Sequence, residues 1–198
     1  RLPAYWAGRD LTQRRNDRFV IDLFGLSEQE AAEFPAAFQH LLDEVKPFRD
    51  QVRREGHRKR WWVFGEPRSA LRSAMKGQTR YIVTSEVSKH RFFQFLNWPA
   101  NLIDGSVIGI ALSEGVWLAL LSSSIHVRWA LRAGGRMGVG NDPRYQNALV
   151  LNPFPFPDLT DKPALKARLD ELGERLDSFR KERLAEHDFL TMTKLYNV

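Results

Sequence analysis

Arg80-Tyr81-Ile82-Val83-Thr84 and Arg91-Phe92-Phe93-Gln94-Phe95-Leu96 are the two runs that decide the fold class. Each is short, β-branched or aromatic, and bounded by breakers, so both read as strands buried in a sheet. Working outward, Trp61-Trp62-Val63-Phe64 has the same character and predicts another strand. Residues 106–112 and 116–121 flank Ser113-Glu114-Gly115, a plausible tight turn, and predict a hairpin. Phe19-Val20-Ile21 with Leu23 and Phe24 predicts a further strand ended by Gly25, and Ala148-Leu149-Val150-Leu151 a last one.

Helices are expected between and after these strands. Ser27-Glu28-Gln29-Glu30 has a hydroxyl and a carboxylate three residues apart, the spacing that lets each satisfy a free backbone amide at a helix start. Pro35 opens a segment with Phe34, Phe38, Leu41, Leu42 and Val45 at helical spacing, and Pro47 restarts it as a basic helix over residues 46–55. Serines 122–124 supply caps for a helix whose buried side is expected at Ile125, Trp129 and residues 131–133, and Gly134-Gly135 stops it. Pro153-Phe154-Pro155-Phe156-Pro157 forces an extended connector that also buries rings. Beyond it, Leu165, Leu169, Leu172, Leu176 and Phe179 form a heptad stripe on a helix over residues 163–185. Gly173 inside that helix costs about 1 kcal/mol relative to Ala, so the helix is expected to lean on a partner surface.

The expected architecture is therefore mixed α+β in class α/β, a twisted and largely antiparallel sheet flanked by helices, followed by a heptad-patterned C-terminal helix. Residues 1–152 form the main domain, and residues 153–198 the connector and helical segment. With 198 residues, 43% of them hydrophobic, the chain can bury a substantial core. It starts at Arg1 without an initiator Met, as expected of a fragment. No charged-then-apolar leader opens it, and no apolar run approaches the roughly eighteen residues of a membrane span. Cysteine is missing, which removes disulfides and thiolate chemistry and fits a reducing cytoplasm.

Charge is unevenly placed. Residues 21–45 carry six carboxylates and no Lys or Arg, whereas residues 46–80 carry eleven Lys or Arg against three carboxylates. Clustered cations release counterions on meeting phosphates, so the basic third suggests a polyanion-facing surface, with a solvated basic face as the alternative. Catalytic groupings are not evident. His40, His57, His90, His126 and His187 are scattered, with no metal-ligand spacing. Glycines 135, 138 and 140 follow a helix instead of a strand, so no nucleotide-binding loop is expected there. Asn152-Pro153-Phe154 resembles the Asn-Pro-Pro-aromatic motif of adenine methyltransferases but lacks its second Pro, and reads as a connector.

Several segments in order carry a family resemblance: Gly8-Arg9-Asp10-Leu11, Arg18-Phe19-Val20-Ile21-Asp22, Lys46-Pro47-x-Arg49, Lys59-Arg60-Trp61-Trp62-Val63-Phe64-Gly65, Ser122-Ser123-Ser124-Ile125-His126-x-x-Trp129-Ala130, the Pro/Phe connector, and Arg180-Lys181-Glu182-Arg183-Leu184. Together they resemble the target-recognition region and following C-terminal helices of MmeI-like single-chain restriction–methylation enzymes and their stand-alone methyltransferase relatives. The resemblance implies that this chain chooses a sequence on double-stranded DNA, while an upstream methyltransferase domain of the same parent chain binds S-adenosylmethionine and methylates adenine N6. No cofactor is expected in this part, and the parent is expected in the cytoplasm.

In that family base reading clusters around the loop corresponding to residues 134–146. The residue types there suit the task, since Arg can donate twice to guanine and Asn or Gln can pair with adenine. Arg136, Asn141, Arg144 and Gln146 are the candidates, with Tyr145 able to pack inward or against a sugar. An ordinary turn at Asn141-Asp142-Pro143 and a surface cation at Arg144 would explain the same residues without DNA. Arg58, Lys59 and Arg60, with Lys89 and Arg91 as a second cluster, suit phosphate contact, which positions a duplex without reading it. Gln13, Arg14 and Arg15 are placed near the junction with the upstream domain. A protein-interaction scaffold whose heptad helix docks a partner is the alternative function.

Overall fold

The computed structural model describes residues 2–197, leaving Arg1 and Val198 outside. The chain opens with β1 (Ala4–Trp6) and α1 (Gly8–Thr12). Five short helices follow: α2 (Glu28–Ala32), α3 (Pro35–His40), α4 (Lys46–Asp50), α5 (Glu55–Lys59) and α6 (Ser69–Ala74), with a π-helical turn, Leu41–Val45, joining α3 to α4. Strands β2 (Arg80–Ser85), β3 (Gln94–Asn97), β4 (Asn101–Ile103) and β5 (Val107–Ile110) come next. Helices α7 (Gly115–Ser122) and α8 (Ser124–Ala133) lead to the two-residue strands β6 (Arg136–Met137) and β7 (Asp142–Pro143). A π-helical turn, Asn147–Leu151, precedes the long α9 (Pro163–Glu186) and the short α10 (Met192–Leu195).

The fold is mixed α+β and largely antiparallel. Strand β2 is central, pairing antiparallel with β3 and β5 in the order β3-β2-β5, while β1 and β4 form a separate parallel pair. Successive residues of a strand point to opposite faces. Tyr81 and Val83 accordingly enter one core with Phe92, Ile103 and Val107, and Ile82 enters another with Phe93, Phe95, Leu118, Tyr145 and Val150. Burial on both faces explains why β2 reads as a continuous apolar run.

Local signals behave as their chemistry requires. Ser27 Oγ accepts from the Glu30 amide and Glu30 accepts from the Ser27 amide at 2.7 Å, starting α2. Ser123 Oγ accepts from the His126 amide at 3.2 Å and caps α8. Phe154 and Phe156 of the connector stack edge-on at 4.9 Å, with Phe154 against His126 and Trp129.

Four expected strands take other forms. Residues 19–24 contribute only a single bridge, Phe19 to Ala4, and Phe19 is exposed. Trp61 and Trp62 are both buried in a third core with Leu23, Ala31 and Leu41. Adjacent strand residues would face opposite ways, so a turn is needed to seat both indoles together; Trp62 Nε1 donates to Leu26 O at 3.0 Å. Residues 116–121 are helix α7, not the second arm of a hairpin. The Asp170 carboxylate, distant in sequence, accepts from the Val116 amide at 3.0 Å and caps the start. Residues 148–151 lie in the π-helical turn, where Val150 is buried and its carbonyl accepts from Trp129 Nε1 at 2.9 Å.

Helix α9 is where expected but turned the other way. Leu165, Leu172 and Phe179 of its heptad stripe are exposed, and Gly173, Asp177 and Arg180 are buried instead. The cause is the contact with α7. A Cβ on Gly173 would stand 1.9 Å from the Gly115 carbonyl oxygen, so the two helices cross with backbone against backbone. This rotation brings Asp177 Oδ1 to the Phe95 amide at 3.1 Å and Arg180 Nη1 to Phe93 O at 2.8 Å. Two side chains thereby satisfy the free edge of the sheet at residues 93–95. Glu174 pairs with Arg80, whose guanidinium lies 3.9 Å from the Phe95 ring centroid. Farther on, Met192 enters the first core and Thr193 Oγ1 donates to Thr12 O at 2.9 Å, so residues 153–197 pack directly on the sheet and α1.

Replacing Gly by Ala in an open helix stabilises by about 1 kcal/mol. Gly173→Ala is expected to do the reverse here and destabilise by about 1–3 kcal/mol, read from urea denaturation; a neutral or stabilising result would mean α7 and α9 do not cross at this point.

Candidate functional site

Residues 134–146 form a hairpin whose tip and root have different chemistry. Gly134 ends α8 in a position where a Cβ would meet Arg144 O at 2.4 Å, so the chain leaves the helix through a gap only glycine fits. Arg136 then pairs with Pro143, and Met137 with Asp142. The connecting turn uses left-handed backbone at Gly138 (φ 82°) and Asn141 (φ 51°), residue types that tolerate it. At the tip, Arg136, Met137, Gly138, Val139, Gly140 and Asn141 are all exposed. Among the described residues, the only side-chain bond there is from Arg136 Nη1 to Asn141 O at 3.1 Å.

The root is buried. The Tyr145 amide donates to Glu86 O at 2.7 Å and the Ser88 amide to Pro143 O at 3.3 Å. Arg91, 6% exposed, donates to Thr84 Oγ1 at 2.9 Å, to Ser85 O, and to Pro143 O at 3.0 Å, and its guanidinium lies 5.1 Å from the Tyr145 ring centroid. Burial pulls its pKa down to about 10, still far above neutrality. Tyr145 is wholly buried, and its hydroxyl lies 3.3 Å from His126 Nε2. His126 Nδ1 faces Leu121 O at 2.8 Å, an acceptor only, so Nδ1 carries the proton and Nε2 accepts from the tyrosine. Burial lowers the His126 pKa, which keeps the ring neutral.

Two sequence expectations are corrected by this geometry. Arg91 is not a phosphate contact, because its donors are spent on buried acceptors. Tyr145 is not a base or sugar contact, because the core encloses it. The other candidates differ in freedom. Arg136 and Asn141 project with the tip, while Gln146 is half-buried. Arg144 is held by Glu86, whose Oε1 accepts from Nε at 2.8 Å and Nη2 at 2.7 Å.

Helix α8 adds two residues that sequence reading missed. Arg128 and Arg132 are exposed one turn apart, and among the described residues neither has an ion-pair or hydrogen-bond partner. The helix buries His126 and Ala130, whereas Ile125, expected inside, is 73% exposed. Setting the helical phase by one residue would have brought both arginines to the surface.

The other expected phosphate contacts lie elsewhere. Arg58 Nη1 donates to Val52 O at 2.6 Å, Lys59 pairs with Glu55 at 2.7 Å, and Arg60 is exposed and unpaired among the described residues. Lys89 Nζ donates to Asn197 Oδ1 at 2.8 Å. Helix α8 and the hairpin root pack on the Ile82 face of the sheet, while Leu71 of α6 packs on the Tyr81 face and α5, which carries Arg58 and Lys59, packs on α4. Among the described residues no three His, Asp or Glu converge as metal ligands. Beyond Gly134, glycines 135, 138 and 140 of the hairpin stand at the surface with no close neighbour.

The result is a firmly rooted hairpin that offers Arg136 and Asn141 to solvent, directly after the helix that carries the unpaired Arg128 and Arg132. Residues 4–158 match the family of the MmeI target recognition domain, and the chain belongs to that family. A solved structure of the Type IIL restriction-modification enzyme MmeI in complex with DNA has the same fold, with a TM-score of 0.69 at 19% identity over 99% of this chain. The chain spans only 25% of that enzyme's length. Among curated proteins, none matches this sequence.

Arg91→Met keeps bulk but removes the guanidinium donors from Ser85 O and from Pro143 O, which keeps the 3.3 Å bond from the Ser88 amide. The expected outcome is a loss of about 1–3 kcal/mol together with faster protease cleavage within residues 134–146; an unchanged cleavage rate would show that Arg91 does not hold the hairpin.

Proposed function

We propose that this chain is the DNA target-recognition unit of a larger adenine-N6 methyltransferase or fused restriction–modification enzyme acting in the cytoplasm. In this reading another domain of the parent chain binds S-adenosylmethionine and transfers the methyl group. The observation that carries the proposal is the β6–β7 hairpin, a narrow two-stranded ribbon with exposed Arg136 and Asn141 on a buried root. A two-stranded ribbon fits the major groove, where Arg donates twice to guanine O6 and N7 and Asn pairs with adenine N6 and N7. Arg144 reads from the flank, its guanidinium aimed in advance by Glu86, and Gln146 lies next to it. Arg128 and Arg132 take phosphates beside the hairpin and fix register without reading sequence.

A protein-interaction scaffold has one observation in its favour, the exposed Leu165, Leu172 and Phe179 on α9. It differs in requiring no salt-dependent DNA binding by the intact protein.

In the full-length parent, Arg136→Ala and Arg144→Ala are expected to relax the methylated motif, each lost bidentate contact removing about 1–3 kcal/mol of discrimination. Methylation-site sequencing reads this, and an unchanged motif after replacement of residues 135–146 would overturn the assignment. Arg128→Ala and Arg132→Ala should instead weaken every sequence alike and flatten the plot of log affinity against log salt by about 0.9 per phosphate lost.

A further inference from the structure

We infer that the cleft lined by Arg49, residues 64–68, Leu71, Trp98 and the β1–β4 pair is a binding site for one nucleotide, taken as a base packed against aromatic rings with its phosphate on Arg49. The site is separate from the hairpin. It encloses about 600 Å³, within the range of small-molecule sites. Tyr5, Phe64, Tyr81 and Trp98 line it, with the Tyr5 and Phe64 rings 5.6 Å apart and Trp98 edge-on to Tyr81 at 6.2 Å.

The charges around the cleft separate into committed and uncommitted groups. Arg72 makes two 2.9 Å bonds to Asp22 and lies over the Trp98 ring. Glu66 is engaged by Arg54 at 3.0 Å, and Asp104 Oδ1 accepts from the Ser106 amide and hydroxyl at 2.8 and 2.6 Å. Arg68 donates one nitrogen to Asp104 O at 2.6 Å and holds left-handed backbone (φ 56°) that an arginine rarely adopts. Arg49 is different. Its guanidinium lies against Gly65, where a Cβ would come within 3.1 Å of Nη1, and among the described residues it has no acceptor. The Tyr5 hydroxyl likewise has no hydrogen-bond partner among them, and burial raises its pKa.

Asp22 and Glu66 are thus paired with arginines, Asp104 is hydrogen-bonded to Ser106, and Arg49 is left without an acceptor beside a set of rings. An inorganic anion would leave the rings unused, and a neutral aromatic would leave Arg49 unused. A nucleotide uses both, since its base stacks on aromatic faces and its phosphate is a strong acceptor for guanidinium. The nucleotide has two possible sources, a free mononucleotide or an unstacked nucleotide of bound DNA, and the second rests on the reading of the chain as a DNA-recognition unit.

Calorimetry on the full-length parent with adenosine 5′-monophosphate, adenosine and inorganic phosphate tests the first source. The mononucleotide is expected to bind at least tenfold tighter than either part; Arg49→Ala should reduce it to the adenosine level, and Phe64→Ala should weaken both. Duplexes carrying 2-aminopurine within and beside the methylated motif test the second, a fluorescence rise on binding that Arg49→Ala and Phe64→Ala abolish. Either pattern supports the site. Equal binding of phosphate and mononucleotide, or neither signal in the wild-type protein, overturns it. If hairpin variants still change the methylated motif in that case, the DNA-recognition reading stands and only the cleft assignment falls.

Discussion

Strand β2 has no solvent-facing side, and the rest of the molecule is arranged around that fact. Tyr81 and Val83 must be covered from one direction and Ile82 from the other. Helices α1 and α6 and the C-terminal α9–α10 segment supply the first cover, and α7, α8 and the hairpin root supply the second. Each cover brings its own surface chemistry with it. The aromatic cleft with Arg49 therefore belongs to one face of the sheet, and the exposed hairpin with Arg128 and Arg132 to the other. The sheet edge at residues 93–95 is closed by Asp177 and Arg180 of α9, so an extended strand from another molecule cannot add there.

Long-range pairing separates what could be read in the sequence from what could not. Residues 80–84 and 91–96 were legible because an apolar run buried on both faces needs no knowledge of its neighbours. The Ser27–Glu30 box, the Ser123 cap and the stop at Gly134 were legible because their partners lie within a few residues. Helix α7 was not, since its cap is Asp170, 54 residues away, and a six-residue apolar run alone does not distinguish strand from helix. The outward turn of α9 was hidden for the same reason: Gly173 weakens the helix locally, and only the Gly115 backbone at the crossing explains it.

The site shows the same division more sharply. The loop at residues 134–146 was legible from glycines flanked by hydrogen-bonding side chains. Arg91 was not, because Lys89-His90-Arg91 has the look of a basic surface cluster, and the acceptor that draws it inward, Pro143 O, is 52 residues on. Tyr145 sits one residue from Arg144, yet the first is enclosed in the core and the second pairs with Glu86. Residue type identified the stretch, and packing at the root decided which members are enclosed.

How Arg91 holds the hairpin also bears on what the tip can do. It grips Pro143 and Ser85 through their carbonyl oxygens, which every residue type carries, and Tyr145 is tied to Glu86 through main chain. None of these bonds depends on the identity of the side chains between residues 136 and 141. Those residues are exposed, and their one side-chain bond, from Arg136 to Asn141 O, also ends on backbone. The fold is therefore nearly indifferent to the chemistry displayed at the tip, while the position of that display is fixed by the core. A recognition surface can change what it reads under these conditions without disturbing the sheet that presents it. Arg144 is the exception, because its pairing with Glu86 couples it to the root; altering that position changes the support as well as the surface.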